Sequence, residues 1–231
     1  MAIEDSVAVI TFAASKDASL SLDAVSELAD HLDTAGAPMG EVSVVMLTGT
    51  DGRFVADVNR DELARRSEGE EVSGDPRAWN RVVEALRSLP QPTVAAIDGP
   101  ASGGGCLLAL ACTFRIGSER SVFGPVELDF GIVGTDSSAD LVRVVGATTS
   151  AELLLTRRKV DGPTAKQIGL ISEVLPSDGF DAQARRWCQS IAALPAATVF
   201  AVKQAVAGST SASRDDILAT LPPTSQIPAF R

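Results

Sequence analysis

Between two apolar runs, at 93–97 and 106–112, the chain places Asp98-Gly-Pro-Ala-Ser-Gly-Gly-Gly105. The first run, Thr-Val-Ala-Ala-Ile, is short and β-rich, and Pro90 and Pro92 precede it, so it reads as a buried strand. The second, Cys-Leu-Leu-Ala-Leu-Ala-Cys, is long enough for two helical turns and reads as an apolar helix. A glycine turn from strand to helix brings backbone close to a neighbour or a ligand and aims the N–H groups of the first helical turn at negative charge. Consecutive glycines destabilise a helix start. Anion binding accounts for them better than packing, although tight helix–strand packing is the alternative. Neither common phosphate loop fits, because the cluster lacks G-x-G-x-x-G spacing and no Lys-Ser/Thr follows.

Strand and helix signals alternate around this turn. Val7-Ala-Val-Ile-Thr-Phe12 reads as a strand, and Leu22, Val25, Leu28, Ala29 and Leu32 recur at helical spacing within 21–33. The run at 42–47 predicts a strand covered on both faces, closed by a turn at Thr48-Gly-Thr-Asp-Gly52. Asp75-Pro76 supplies an N-cap and first-turn proline for a helix carrying Val82, Val83, Leu86 and Leu89. Short strands are expected at 114–116, 122–123 and 171–174. Residues 123–135 read as a loop, and the chain from 137 onward as mainly helical, with a loose tail. The β/α alternation predicts an α/β fold with at least partly parallel pairing.

The acidic balance, 20 Lys+Arg against 30 Asp+Glu for a net charge of −10, excludes a broad basic face and argues against nucleic acid as a partner. With 45% hydrophobic and 22% charged residues the chain can bury one main core. No uninterrupted apolar stretch is long enough to span a membrane, and the first ten residues lack a basic start before an apolar segment, so a cytoplasmic protein is expected. Cys106, Cys112 and Cys188 are odd in number and read as reduced core residues, with no metal cluster to be assembled from them. The single histidine, His31, falls in a charged helical pattern and reads as a helix-face residue, which makes a histidine-based triad improbable.

From Val7 to about Val206 the sequence resembles the enoyl-CoA hydratase/isomerase (crotonase) superfamily. Ser15-Lys-Asp-Ala-Ser19 stands where that family has R-P-K-A-L-N, and Phe54-Val-Ala-Asp-Val-Asn-Arg-Asp-Glu-Leu63 where it has F-x-A-G-A-D-x-x-E-L. Asp98 to Cys106 matches G-x-x-x-G-G-G, Phe123-Gly-Pro-Val-Glu127 matches F-G-x-P-E with the proline displaced by one, and Ala165-Lys-Gln-Ile-Gly-Leu-Ile171 matches A-x-x-x-G-L-V. The resemblance implies a crotonase-like ββα spiral core at 1–185, with a shortened C-terminal helical region and tail at 186–231. It also implies an acyl-CoA or acyl-carrier thioester as substrate, with no cofactor beyond the CoA the substrate carries. The N–H groups of Val58 and Gly104 would then form an oxyanion hole around the thioester carbonyl, Glu127 would be the catalytic carboxylate, and Lys16, Ala56 and Leu107 would contact substrate. Arg53 and Arg60 are weaker candidates for the CoA phosphates. A homotrimer, or a dimer of trimers, is expected, with contacts from the pattern Trp187, Ile191, Leu194, Val199 and Val202.

The sequence departs from the family where chemistry is decided. Leu107 occupies the position of the hydratases' first glutamate, so one carboxylate of the pair is missing, as in the Δ3,Δ2-enoyl-CoA isomerase branch. Water addition benefits from two groups, whereas a 1,3-proton shift can be run by one. Asp57 replaces the family's glycine beside an oxyanion donor and reads either as a second acid or as a solvated turn residue. Asp136 reads as a catalytic acid or as an N-cap for a helix starting at Ser137. Glu127, flanked by Val126, Leu128 and Phe130, is expected to be desolvated, and without the resemblance it would also fit a surface strand. These departures leave a hydratase or lyase, and a catalytically reduced accessory subunit, as alternatives to an isomerase.

Overall fold

The computed structural model describes residues 1–15, 18–36, 41–58, 77–124 and 135–208. The first half of the described chain runs β1 (Ala2–Glu4), β2 (Val7–Phe12), β3 (Ser19–Leu20), α1 (Leu22–Ala35), β4 (Val44–Gly49), β5 (Asp57–Val58) and α2 (Ala78–Ser88). After these come β6 (Thr93–Ile97), β7 (Pro100–Ser102), α3 (Gly104–Ala111), β8 (Phe114–Ser118) and β9 (Val122–Gly124). The rest is α4 (Thr135–Val145), α5 (Ala147–Thr156), β10 (Val160–Asp161), α6 (Gly162–Gln167), β11 (Glu173–Leu175), α7 (Phe180–Ala192) and α8 (Ala196–Gly208).

The main sheet has the order β1-β2-β4-β6-β8-β11, parallel throughout except for the β1–β2 hairpin. Successive strand residues point to opposite faces, and here both faces are buried. Ala8, Ile10, Val45, Leu47, Ala95 and Ile97 join the core beneath α1, α2 and α3. Val7, Val9, Val44, Met46, Val94 and Ala96 meet Phe180, Ala184 and Cys188 of α7. This two-sided burial explains why the strands read as unbroken apolar runs. The expected strand at 42–47 is displaced to Val44–Gly49 because Thr48 and Gly49 pair with Thr11 and Phe12 of β2. The expected strand at 171–174 is displaced to Glu173–Leu175, in register with Ile116, Gly117 and Ser118, while the N–H of Ile171 closes the turn after α6 on Ala165 O at 3.3 Å.

Helix boundaries follow local chemistry. Ser21 caps α1, its Oγ accepting from the Ala24 N–H at 3.2 Å, and Val25, Leu28 and Leu32 face the sheet. The charged face of α1 carries His31, 3.6 Å from Glu27 one turn earlier, as expected of a helix-face residue. In α2 the first helical residue is Ala78, and the expected cap Asp75-Pro76 lies outside the described residues. Residue 185, the expected end of the core, lies within α7. α8 is tied back by Lys203, whose partly buried ammonium donates to Leu89 O at 2.6 Å and Gln91 O at 2.8 Å, and desolvation lowers its pKa to about 8.

A second layer stands on the helix side. β7 pairs in parallel with β9, β9 is antiparallel to β10, β3 is parallel to β5, and Val55 bridges Ala101. These short pairings carry the glycine turn.

Candidate active site

The turn begins where β6 ends. Asp98 is fixed by Ser118 Oγ at 2.6 Å and by Arg120, whose Nη2 donates at 2.6 Å and Nε at 3.2 Å. This carboxylate raises the Arg120 pKa and is committed to a structural pair. Gly99 then turns with φ of +90°, where a Cβ would stand 2.3 Å from Gly52 O, and Gly103 turns again with φ of +51° before α3 begins. Both conformations favour glycine.

Close backbone approach then joins this turn to the segment leading into β5. Val55 O accepts from the Ser102 N–H at 3.0 Å, and a Cβ on Gly105 would lie 1.8 Å from the same oxygen. Only glycine fits at 105. The segment continues through Ala56, partly buried, whose N–H donates to Ala18 O at 2.7 Å, into β5, where Val58 pairs with Leu20. The backbones of Val58 and Gly104 therefore belong to two segments locked side by side. At Gly104 the N–H precedes the first helix-internal donor, Leu107 N–H to Gly103 O at 3.1 Å, and so has no acceptor within α3. A Cβ there would lie 2.5 Å from Cη2 of Trp79, whose ring covers the turn.

Within the segment that carries the F-x-A-G-A-D-like motif, residues 57–58 form a strand, because β5 pairs with β3. The expected helix at 106–112 begins at Gly104 and ends at Ala111, with Cys112 extended. Leu107 is half-buried on α3 and packs against the core. Asp136 cannot be the N-cap of a helix starting at 137, since α4 begins at Thr135 and takes Asp136 into its first turn; the side chain lies outside the described residues. Lys16, Arg60 and Glu127 also lie outside them, as does the side chain of Asp57. Yet β9 sets Gly124 beside Ser102, so the chain departs toward Glu127 from next to the glycine turn. Arg53 is paired locally with Asp51 at 3.0 Å.

Two site-supporting residues escaped the sequence reading. Trp79 stands on the face of α2 that also carries Val82, Val83 and Leu86, and its rarity was the available signal, with two tryptophans and no tyrosine in the chain. Arg115 is buried and donates to Leu170 O at 2.8 Å, Cys112 O at 2.9 Å and Ala109 O at 3.4 Å, capping the end of α3. Burial lowers its pKa, so this cation holds the helix through carbonyls and the helix dipole. Among the described residues no cluster of His, Cys, Asp or Glu is arranged to hold a metal ion, and no helix is long and apolar enough to cross a membrane.

The family model described as enoyl-CoA hydratase/isomerase matches residues 2–220. The chain belongs to that family. Among its relatives, the cucumber glyoxysomal fatty acid beta-oxidation multifunctional protein MFP-a is 31% identical over 190 residues, covering 81% of this chain but only 26% of its own length. The protein named probable enoyl-CoA hydratase echA17 from Mycobacterium avium is 35% identical over 197 residues, covering 79% of this chain and 76% of its own. A crystal structure of enoyl-CoA hydratase from Bacillus anthracis superposes with a TM-score of 0.80 at 29% identity, covering 91% of this chain and 83% of that one. A further crystal structure, of an enoyl-CoA hydratase/isomerase family member, reaches 0.83 at 29% identity, covering 95% and 86%. The α/β fold is thus that of the family, as the motifs implied.

Proposed function

We propose that the chain is an acyl-thioester enzyme working through a stabilised enolate, and that its reaction is double-bond isomerisation of an enoyl-CoA. The observation that carries this is the contact at Gly105, which sets the first N–H of α3 beside the strand that includes Val58. Two preorganised donors toward one carbonyl oxygen would hold the charge that appears when an α-proton leaves, a contribution of about 2.7–4 kcal/mol per donor in comparable sites. Glu127 would take a proton from C2 of a 3-enoyl thioester. The electron pair moves through the enolate, and the same carboxyl returns the proton to C4, giving the 2-enoyl form with no net change in atoms or charge. Lys16, Ala56 and Leu107 would line the substrate, and the aliphatic Leu107 favours this one-carboxylate reaction over hydration.

The relatives' names favour the second reading, a hydratase or lyase, with Asp136 or Asp57 as the added acid. Asp136 belongs to the first turn of α4. A third reading, an accessory subunit without activity, rests on the same departures. For assembly we propose a homotrimer. Trp187, Ile191 and Val199 pack within their own chain, which leaves Leu194, Val202 and Val206 as the exposed apolar residues at this end.

Rates with 3-enoyl-CoA and 2-enoyl-CoA separate these readings. Isomerisation should exceed hydration, Glu127→Gln should lose at least about a hundredfold, and Leu107→Glu should raise hydration. Hydration faster than isomerisation overturns the one-base mechanism, and full activity in Glu127→Gln removes Glu127 from it.

A further inference from the structure

The two segments that carry Val58 and Gly104 first meet at Gly52 and Gly99, before they run on together through the bridge from Val55 to Ala101. A carboxylate and a guanidinium stand over that crossing. Asp98 accepts from Ser118 Oγ at 2.6 Å and from Arg120 Nη2 at 2.6 Å and Nε at 3.2 Å, so both of its oxygens are taken. A Cβ on Gly52 would lie 3.5 Å from Arg120 Nη2 and 3.6 Å from Asp98 Oδ2. The turn that supplies these donors is itself fixed. Ser118 Oγ accepts from the Arg120 N–H at 3.1 Å, and Ser121 Oγ accepts from the Ser118 N–H at 2.8 Å and donates to Ile97 O at 2.7 Å. The Val122 N–H then reaches Gly99 O at 3.2 Å, and β9 continues beside β7 as far as Ser102. Asp98 therefore closes a circuit of β6, the 118–121 turn, β9 and β7, and Gly103 and Gly104 leave from its far end.

We infer that Asp98 is a positioning residue for the two oxyanion donors, acting through Arg120 on the crossing of their segments, an assignment that rests on the thioester reading of the Gly104 turn. The pair adds little to global stability, because the Arg120 side chain is 58% exposed and water screens the attraction. What it supplies is placement. Gly52 and Gly99 touch through backbone alone, so the angle between the two segments is set by whatever holds their turns together, and the ion pair lies at that point. A hydrogen bond weakens steeply as its angle departs from linear, and a misplacement of about 1 Å in a reacting geometry can cost about a hundredfold in rate. Asp98 and Arg120 touch no reacting atom in this account; they hold the donors where the charge develops.

The test separates placement from stability. Full-length wild type, Asp98→Asn and Arg120→Met are compared by thermal melting, by steady-state rates with 3-enoyl-CoA, and by infrared difference spectra of octanoyl-CoA labelled with carbon-13 at the carbonyl. Spectra are taken at concentrations where calorimetry shows the thioester bound. In both variants kcat should fall about tenfold with KM within about threefold, as for contacts made chiefly in the transition state. The carbonyl band should move back toward its position in water, while the melting midpoint changes little. Arg120→Lys, which keeps a cation for the carboxylate, should recover part of both the rate and the band shift. Because Arg120 is mostly exposed, Arg120→Met keeps the test open should Asp98→Asn fold poorly. A band that stays at the wild-type frequency in Arg120→Met overturns the positioning role, whatever happens to melting or turnover, and leaves the thioester site standing. A wild-type band at the solution frequency overturns the thioester reading and this assignment with it.

Discussion

The parallel sheet and the layer that carries the glycine turn are built on opposite principles. In the sheet, side chains meet side chains: Ile10, Leu47 and Ile97 fill one face and Val9, Met46 and Val94 the other. Such contacts adjust, and exchanges that conserve volume usually cost under about 1.5 kcal/mol. In the site layer, backbone meets backbone. Gly105 lies against Val55 O and Gly99 against Gly52 O, each so close that a single added methyl group would fall within 2.3 Å of a carbonyl oxygen. The sheet therefore tolerates changes in detail, whereas the site layer depends on atoms that are absent.

The largest expected effect follows from that contrast. Gly105→Ala forces the α3 start away from Val55 and should abolish measurable turnover, with a loss of stability of several kcal/mol, whereas Leu47→Met in the sheet should cost about 1 kcal/mol and leave turnover intact. Denaturant titration and steady-state rates of the two variants measure the difference. A Gly105→Ala protein that matches Leu47→Met in both would dissolve the distinction.

Gly104 sharpens the comparison, because its close neighbour is a side chain. A Cβ at 104 meets the Trp79 ring at 2.5 Å, so Gly104→Ala should cut turnover by about a hundredfold, the scale of a lost oxyanion donor. The double variant Gly104→Ala with Trp79→Leu should recover part of that loss. No recovery would mean that the ring is not what crowds the position.

Two smaller effects belong to the packing that supports the sheet. The Lys203 pKa in the folded chain, about 8, lies below its ordinary 10.5, so above pH 8 the unfolded chain holds more protons at this site than the folded one. Stability from Lys203 should thus rise between about pH 8 and 10.5 and stay at its lower level below pH 8. Thermal melts of wild type and Lys203→Met should diverge over that window, wild type gaining as pH increases, and parallel curves would contradict the assignment. Smallest, Gln91 is fully buried with neither side-chain polar atom hydrogen-bonded among the described residues, so Gln91→Met should stabilise the fold by about 1 kcal/mol, seen as a higher denaturation midpoint.

The same contrast governs how much was legible in the sequence. The sheet was visible because two-sided burial writes continuous apolar runs, and its boundaries moved only where register decided them, as Thr48 and Gly49 show by pairing with β2. α1 was visible because Leu22, Val25, Leu28 and Leu32 repeat at helical spacing behind a serine cap. The glycine turn announced itself by composition, and the family motifs assigned Val58 and Gly104 to one site. What the glycines stand against was not legible. Val55 O and the Trp79 ring reach them through tertiary contact, from positions 50 and 25 residues away, and no local pattern records such a meeting. Arg115 was hidden similarly, since a single charge within a strand pattern gives no sign that its partners are the carbonyls ending α3 and the Leu170 carbonyl.

On the proposed reading, the Val55–Val58 segment and the start of α3 together polarise a thioester carbonyl. Isotope-edited infrared difference spectra of octanoyl-CoA labelled with carbon-13 at the carbonyl test it without turnover. The carbonyl band should move to lower frequency on binding to the wild-type protein, and should return toward its position in water in Gly104→Ala at a concentration where calorimetry still shows the thioester bound. A band that stays at its solution frequency in the wild-type complex would contradict the account.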